Sequence, residues 1–344
     1  MIRKQQLLTV AGALLLCASR PSVSFAQVTI AVDTRLDADI TCAVAGPCVD
    51  IVADGIDVNG TDVHGRRYTI DCSGVPDSVG VRIHNHTDVR LHDLEVKNCT
   101  YGVVAEQPGG VAALYGRHHL YDLFVHDIAV DGIVVVSGFL NGPGFTWVLN
   151  NRVTHAGRWG IYINESRGNH LRGNSTTSNL AGIVVDNVFC GPGWPDCTAN
   201  DISRNDVSGN GLAGIRLSYA NNVNIQQNVA NDTAAGAGIS LFGGSDQNVV
   251  LRNRVENNLH GILLHSLTPV GAPDPNYPDF NTVRGNIVSN NQGDGIGVAG
   301  SRNLTQANRA TGNGVDLRDY HDDCDGNVWR ANRFVSAMPA ACIR

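Results

Sequence analysis

Three short stretches hold residue types suited to proton chemistry: 93–98 (DLEVKN), 122–127 (DLFVHD) and 151–156 (NRVTHA). They begin 29 residues apart, and the fifth place of each holds Lys97, His126 or His155. An imidazole titrates near neutral pH and suits proton abstraction, while a lysine or arginine neutralises a carboxylate and makes the carbon-bound proton beside it more acidic. Arg158 and Tyr162 follow closely and add a second cation and a hydroxyl able to return a proton. Nine of the twelve histidines lie between His64 and His170, so candidate bases gather in the N-terminal half. The candidate catalytic set is therefore His126 or His155 as base, Tyr162 as acid, and Lys97 or Arg158 as neutraliser. The competing explanation is that each is a solvated turn residue.

What must position them is a repeat. Gly-Ile or Gly-Val recurs at Gly80, Gly102, Gly132, Gly160, Gly182, Gly214, Gly238, Gly261, Gly295 and Gly314, followed by alternating apolar residues that signal short strands. Polar pairs five apart, from Asp93/Asn98 and Asp122/Asp127 through Asn151/Ala156 and Asn174/Asn179 to Asn308/Asn313, advance by 22 to 33 residues. A unit of that length built from short strands is a coil of a solenoid. The expected fold is all-β: one right-handed parallel β-helix of about ten coils, with a cap and first strands over 27–60, the helix over 61–334 and a cap tail over 335–344. Asn179, Asn210, Asn258 and Asn291 are expected to bond one another from coil to coil as a structural ladder. Period-two geometry then turns Lys97, His126 and His155 outward, as one stripe on coils about 4.7–4.9 Å apart.

The longer coils carry insertions after the Gly-Ile strand, at 106–117, 137–146, 188–199 and 266–280. They share one edge of the solenoid and contain aromatic rings, which either stack on sugar faces or pack the loops down. Tyr115, His119, Trp147, Trp159 and Trp194 are the candidate substrate-binding residues.

The two ends set the compartment. A basic start, an apolar run over 7–18 and Ser24-Phe-Ala26 are the pattern of a secretory signal over 1–26, too short to span a membrane. The remaining chain has 22 basic against 32 acidic residues, which disfavours nucleic acid as a partner. Without Cys17, eight of the nine cysteines remain, an even number that in an exported chain favours disulfides: Cys42 with Cys48, Cys72 with Cys99, Cys190 with Cys197 and Cys324 with Cys342. A secreted or periplasmic monomer, free of the membrane once the signal is gone, is the expectation.

The segment from Ile40 to Cys48, the run from Asp57 to Gly65, Tyr68 to Asp71 and the Asn-rich Gly-Ile coils together resemble the pectate-lyase-like β-helix group. That group includes NosD-like periplasmic repeat proteins and the catalytic module of mannuronan C5-epimerases. The resemblance implies the same fold and an acidic polysaccharide or other glycan as partner. The epimerase Asp-Pro-His-Asp, the polygalacturonase signatures and the pectate-lyase arginine motif are absent from the sequence. The expected activity is β-elimination or C5 epimerisation of a uronic-acid polymer. Glycoside hydrolysis by paired carboxylates, and non-catalytic sugar or metal binding, are the alternatives. No motif commits the chain to a cofactor; the metal-ligand set is unknown, and calcium is the one ion its acidic residues suggest.

Overall fold

The computed structural model describes residues 22–25, 27–107, 116–137, 144–188, 198–266 and 276–343. Each coil contributes strands to three stacked parallel sheets, here called faces A, B and C in the order the chain visits them. One coil runs through Leu94–Lys97 on face A, Tyr101–Glu106 on face B and His119–Tyr121 on face C, then returns to face A at Phe124–Ile128. Face B is thirteen strands deep and face C twelve. The stack is deeper than the Gly-Ile count suggests, because Val28–Ile30, Gly46–Ile51 and Ala337–Met338 each add a rung to face B. Face A loses regular pairing after Ser175–Thr177, is carried by single bridges through Asp206 and Val229, and resumes at Arg254–Glu256. Ser22–Phe25 pairs with Asp39–Cys42, so a strand of face A comes from the segment whose sequence has the signal pattern.

Aliphatic residues stack in the interior, coil upon coil on each face. Val96, Val125 and Val153 on face A, Ile161 and Ile183 on face B, and Leu120, Val148 and Leu171 on face C have no exposed surface. Each such side chain contributes roughly 1.5–3 kcal/mol of hydrophobic stabilisation. The glycine of Gly-Ile lies where the chain turns onto face B and there is no room for a Cβ. One added at Gly132 would stand 2.3 Å from Val153 Cγ1 and 2.6 Å from the Gly160 carbonyl oxygen. Gly314 does not continue this column; the carbonyl of Asp316 takes the place beside Gly295.

Asparagines form three ladders rather than the two that the five-residue pairs suggest. The first runs through Asn151, Asn174, Asn205, Asn228, Asn253, Asn286, Asn308 and Asn332. The second joins Asn179 to Asn210 and, beyond Thr233, Asn258 to Asn291 and Asn313. The third stands between faces B and C, with Asn169 bonded to Asn200 and, further on, Asn248, Asn281, Asn303 and Asn327 in sequence. A rung satisfies buried groups in both directions. Asn205 Oδ1 accepts the Asn174 backbone N–H at 2.9 Å, while its Nδ2 donates to the Leu171 carbonyl at 2.9 Å. Cys42–Cys48, Cys72–Cys99 and Cys324–Cys342 are disulfides as expected, while Cys190 and Cys197 lie outside the described residues.

Candidate active site

The strand register separates the three opening stretches. Lys97 pairs with His126, and His126 pairs with Thr154, not with His155. His155 lies one place later, in the left-handed turn (φ 57°) that Asn98 (φ 55°) and Asp127 (φ 54°) occupy in earlier coils. A slip of one residue reverses the direction in which a strand side chain points.

What remains of the stripe, on face A, is a chain of mutual contacts. Both ring nitrogens of His126 face carboxylates of the protein, Nδ1 at 2.7 Å from Asp127 Oδ2 and Nε2 at 3.0 Å from Glu95 Oε1, so neither is turned toward a substrate. The Lys97 ammonium stands 3.7 Å from Asp71 and 4.0 Å from Glu95, and His155 Nδ1 lies 3.6 Å from Asp127. Burial would raise the Glu95 pKa, but hydrogen bonds from His126 and Thr69 and the charge of Lys97 outweigh it and hold the carboxyl below its usual range. The insertions leave the coil elsewhere, between faces B and C. A cleft of about 510 Å³ does open beside Asp71, Asn98 and Asp127, but Asp71 is bonded to Asn98 and Asp127 to His126.

On face C, His119, Trp147 and His170 stack one above another, with centroids 4.5 and 5.7 Å apart and planes 18° from parallel. Trp147 is stacked on both sides, so it offers an edge rather than a platform. Tyr115 and Trp194 lie outside the described residues.

Face B brings together Arg158, Trp159 and Tyr162. Arg158 is locked by a bidentate pair to buried Asp131 through Nε, at 2.9 Å, and Nη2. Its guanidinium carbon lies 5.6 and 5.7 Å from the Trp159 and Tyr162 ring centres. Tyr162 donates to Asp186 Oδ2 at 3.4 Å; burial and that carboxylate raise the phenol's pKa, so it stays protonated. Both rings pack on Ala181, Val184 and Ala213.

Further along the same face a cavity of about 370 Å³ opens over Ala213, Ala237 and Leu263, edged by Arg216, Ser240, Phe242, His260 and His265. The Arg216 guanidinium lies over the Phe242 ring, 4.6 Å from its centre, and burial lowers its pKa. Among the described residues it has no carboxylate at ion-pair distance. Burial, with the charges of Arg216 and His260, pushes the His265 imidazole down to about 4, so it is neutral at pH 7. Its Nε2 is 3.0 Å from the Ser240 hydroxyl. His260 Nδ1 accepts the Asp294 N–H at 3.1 Å, which leaves the ring proton on Nε2. The Asp294 carboxylate is itself held by Arg318 Nε at 2.7 Å and by the Tyr320 hydroxyl. Sequence reasoning missed this cluster. Its signal was the third place of the repeat, where Gly214-Ile-Arg216 and Gly238-Ile-Ser240 put polar groups and Gly102-Val-Val104, Gly132-Ile-Val134 and Gly182-Ile-Val184 put valine. His265 stands four coils from the Tyr162 coil, ~19 Å at the usual strand spacing, so the two cannot serve one sugar unit.

Among the described residues, the one group of His, Cys, Asp or Glu ligand atoms that converges within 4.8 Å is Cys42, Cys48 and Cys72, whose sulfurs are engaged in disulfides.

The family model described as "Right handed beta helix region" matches residues 79–246 and 194–334, most of the chain. The chain belongs to this right-handed β-helix family. No curated protein matches it. Among solved structures, the β-helix is similar to the A-module of the Azotobacter vinelandii mannuronan C-5 epimerase AlgE6, at TM-score 0.68 and 18% identity over 91% of this chain and 88% of that one. The AlgE4 A-module from the same organism gives TM-score 0.63 at 14% identity, over 92% and 88%. A tailspike protein of Escherichia coli O157:H7 bacteriophage CAB120 gives TM-score 0.50 at 11% identity, over 77% and 38%. At these identities the likeness is one of fold.

Proposed function

We propose that this protein is an exported enzyme that removes the C5 proton of a uronate within an acidic polysaccharide lying along face B, as a lyase or a C5-epimerase. The observation that carries the reading is Arg216, a half-buried guanidinium with no carboxylate at ion-pair distance among the described residues, in a cavity that also holds a neutral imidazole. Arg216 pairs with the uronate carboxylate and stabilises the charge that develops on it when C5 loses its proton. His265, with a basic Nε2, takes that proton. The electron pair passes into the carboxylate. The His265 imidazolium then gives its proton to the departing O4 oxygen, towards which the His260 Nε2–H donates a hydrogen bond, leaving a C4–C5 double bond; in epimerisation it releases that proton to solvent and a solvent proton reaches the opposite face of C5. Mannuronan epimerases among the structural neighbours support the polysaccharide reading.

The test follows ultraviolet absorbance of unsaturated uronate, and deuterium uptake at C5 in heavy water, on a panel of uronate polymers. The chromophore marks a lyase, and exchange without it marks an epimerase. Arg216→Gln and His265→Gln should each lower kcat/KM by about 10²-fold or more. New reducing ends without exchange at C5 would instead mean hydrolysis.

A further inference from the structure

Charges on face B are matched almost completely within the protein. Arg82 is bonded to Asp50 at 3.0 and 2.8 Å, His84 contacts Glu106 at 3.0 Å, Arg158 is locked to Asp131, and Arg318 to Asp294. Among the described residues on the outer side of this face, Arg216 and Asp186 are the charges without an ion-pair partner; Asp316 and Asp319 also lack a cation, but they are buried and held by hydrogen bonds. They lie in successive coils, since Asp186 pairs with Ser218 on the Arg216 strand.

A glycan laid along the helix axis therefore meets one free positive charge and, one coil toward the N-terminus, one free negative charge. Coils are ~4.8 Å apart, close to the length of one 4-linked pyranose unit. When a uronate carboxylate occupies Arg216, the neighbouring unit lies over Asp186, one coil away, with the Tyr162 and Trp159 rings one coil further on. A second carboxylate at Asp186 would meet a like charge, whereas a hydroxyl or amide N–H would donate to it, and the apolar face of the unit beyond would meet the rings. If alternate units turn over, the next carboxylate falls two coils away and finds Tyr162 on one side or Leu263 on the other. No free cation waits at either distance. We infer that face B selects polymers in which single uronates alternate with uncharged sugars, in preference to homopolyuronates. This rests on the proposed uronate site at Arg216 and adds to it the class of polymer.

The experiment measures dissociation constants for hyaluronan and desulfated chondroitin oligosaccharides against pectate and mannuronate oligomers of equal length, on the His265→Gln chain so that nothing is consumed. The alternating oligomers should bind about tenfold tighter. Asp186→Asn should tighten homopolyuronate binding by about tenfold and weaken that of the alternating oligomers, which lose a charged acceptor, an opposition in sign that mere structural damage would not produce. Homopolyuronates that bind equally or more tightly, or an Asp186→Asn chain that treats both classes as before, overturn the inference. If homopolyuronates also exchange at C5, the uronate site stands and only the polymer class is wrong. If no oligomer of either class binds, the uronate site itself fails.

Discussion

His265 and His118 are both held neutral by burial, and both have the imidazole pushed down to about 4. For His265 this sets the working range, because a base protonated only near pH 4 keeps its lone pair across the neutral range. The acid limb of kcat/KM should therefore fall near pH 4, well below that of an ordinary histidine base. For His118, whose Nδ1 accepts the Val89 N–H at 3.4 Å, the consequence is for stability. Between pH 6.5 and about 4 the unfolded chain binds a proton that the folded chain refuses, so stability falls as pH falls through that window. The loss is about 3 kcal/mol for a shift of this size. A His118→Gln chain should lose less of its urea stability between pH 7 and pH 4 than the parent, by roughly that amount. Parallel pH dependence in the two chains would show that His118 is not the group being charged.

At the scale of the coil, asparagine and glycine columns explain both what the sequence reveals and where it misleads. Asn228 Oδ1 takes the N–H and Nδ2 of Asn205, and its own Nδ2 serves the Ile202 carbonyl. Asn228→Ala would leave those groups buried and unpaired, at about 1–3 kcal/mol for each orphaned group. Thermal denaturation should show a loss of several kcal/mol, whereas an exposed turn residue such as Asn257 should tolerate alanine at far less cost. The regular spacing of such asparagines is what makes the β-helix legible. Register fails in the early coils for a physical reason. The ladder position there is Leu94 and then Leu123, whose N–H bonds Asn151 Oδ1, so the polar residues beside it, Asp93 and Asp122, stand one place out. That displacement put His155 in a column that belongs to Thr154. The third ladder escaped notice because the insertions vary in length just before it, so Asn169 and Asn200 keep no fixed distance from the preceding Gly-Ile.

For the whole molecule, chemistry depends on which face a residue joins, and chain distance does not record that. His155 and Tyr162 are near neighbours in sequence but stand on different faces, while Arg216 and His265, 49 residues apart, edge one cavity. The same architecture limits how far damage should travel. Each coil touches mainly the coils beside it, so stability is close to a sum of coil and interface contributions, and the ends are the weakest places. The Cys324–Cys342 disulfide closes the C-terminal end, where Ala337–Met338 is the last strand of face B. Replacing both cysteines with serine should speed backbone hydrogen exchange in 315–343 while the strands Ala213–Ala220 and Ala237–Phe242 keep their protection. Activity at Arg216 should persist with it, since the strand Asp294–Val298 still stands between the cavity and the loosened end. Loss of protection along the full stack in one step would mean that the coils melt as a single unit, and the terminal staple would then govern the site as much as the cap.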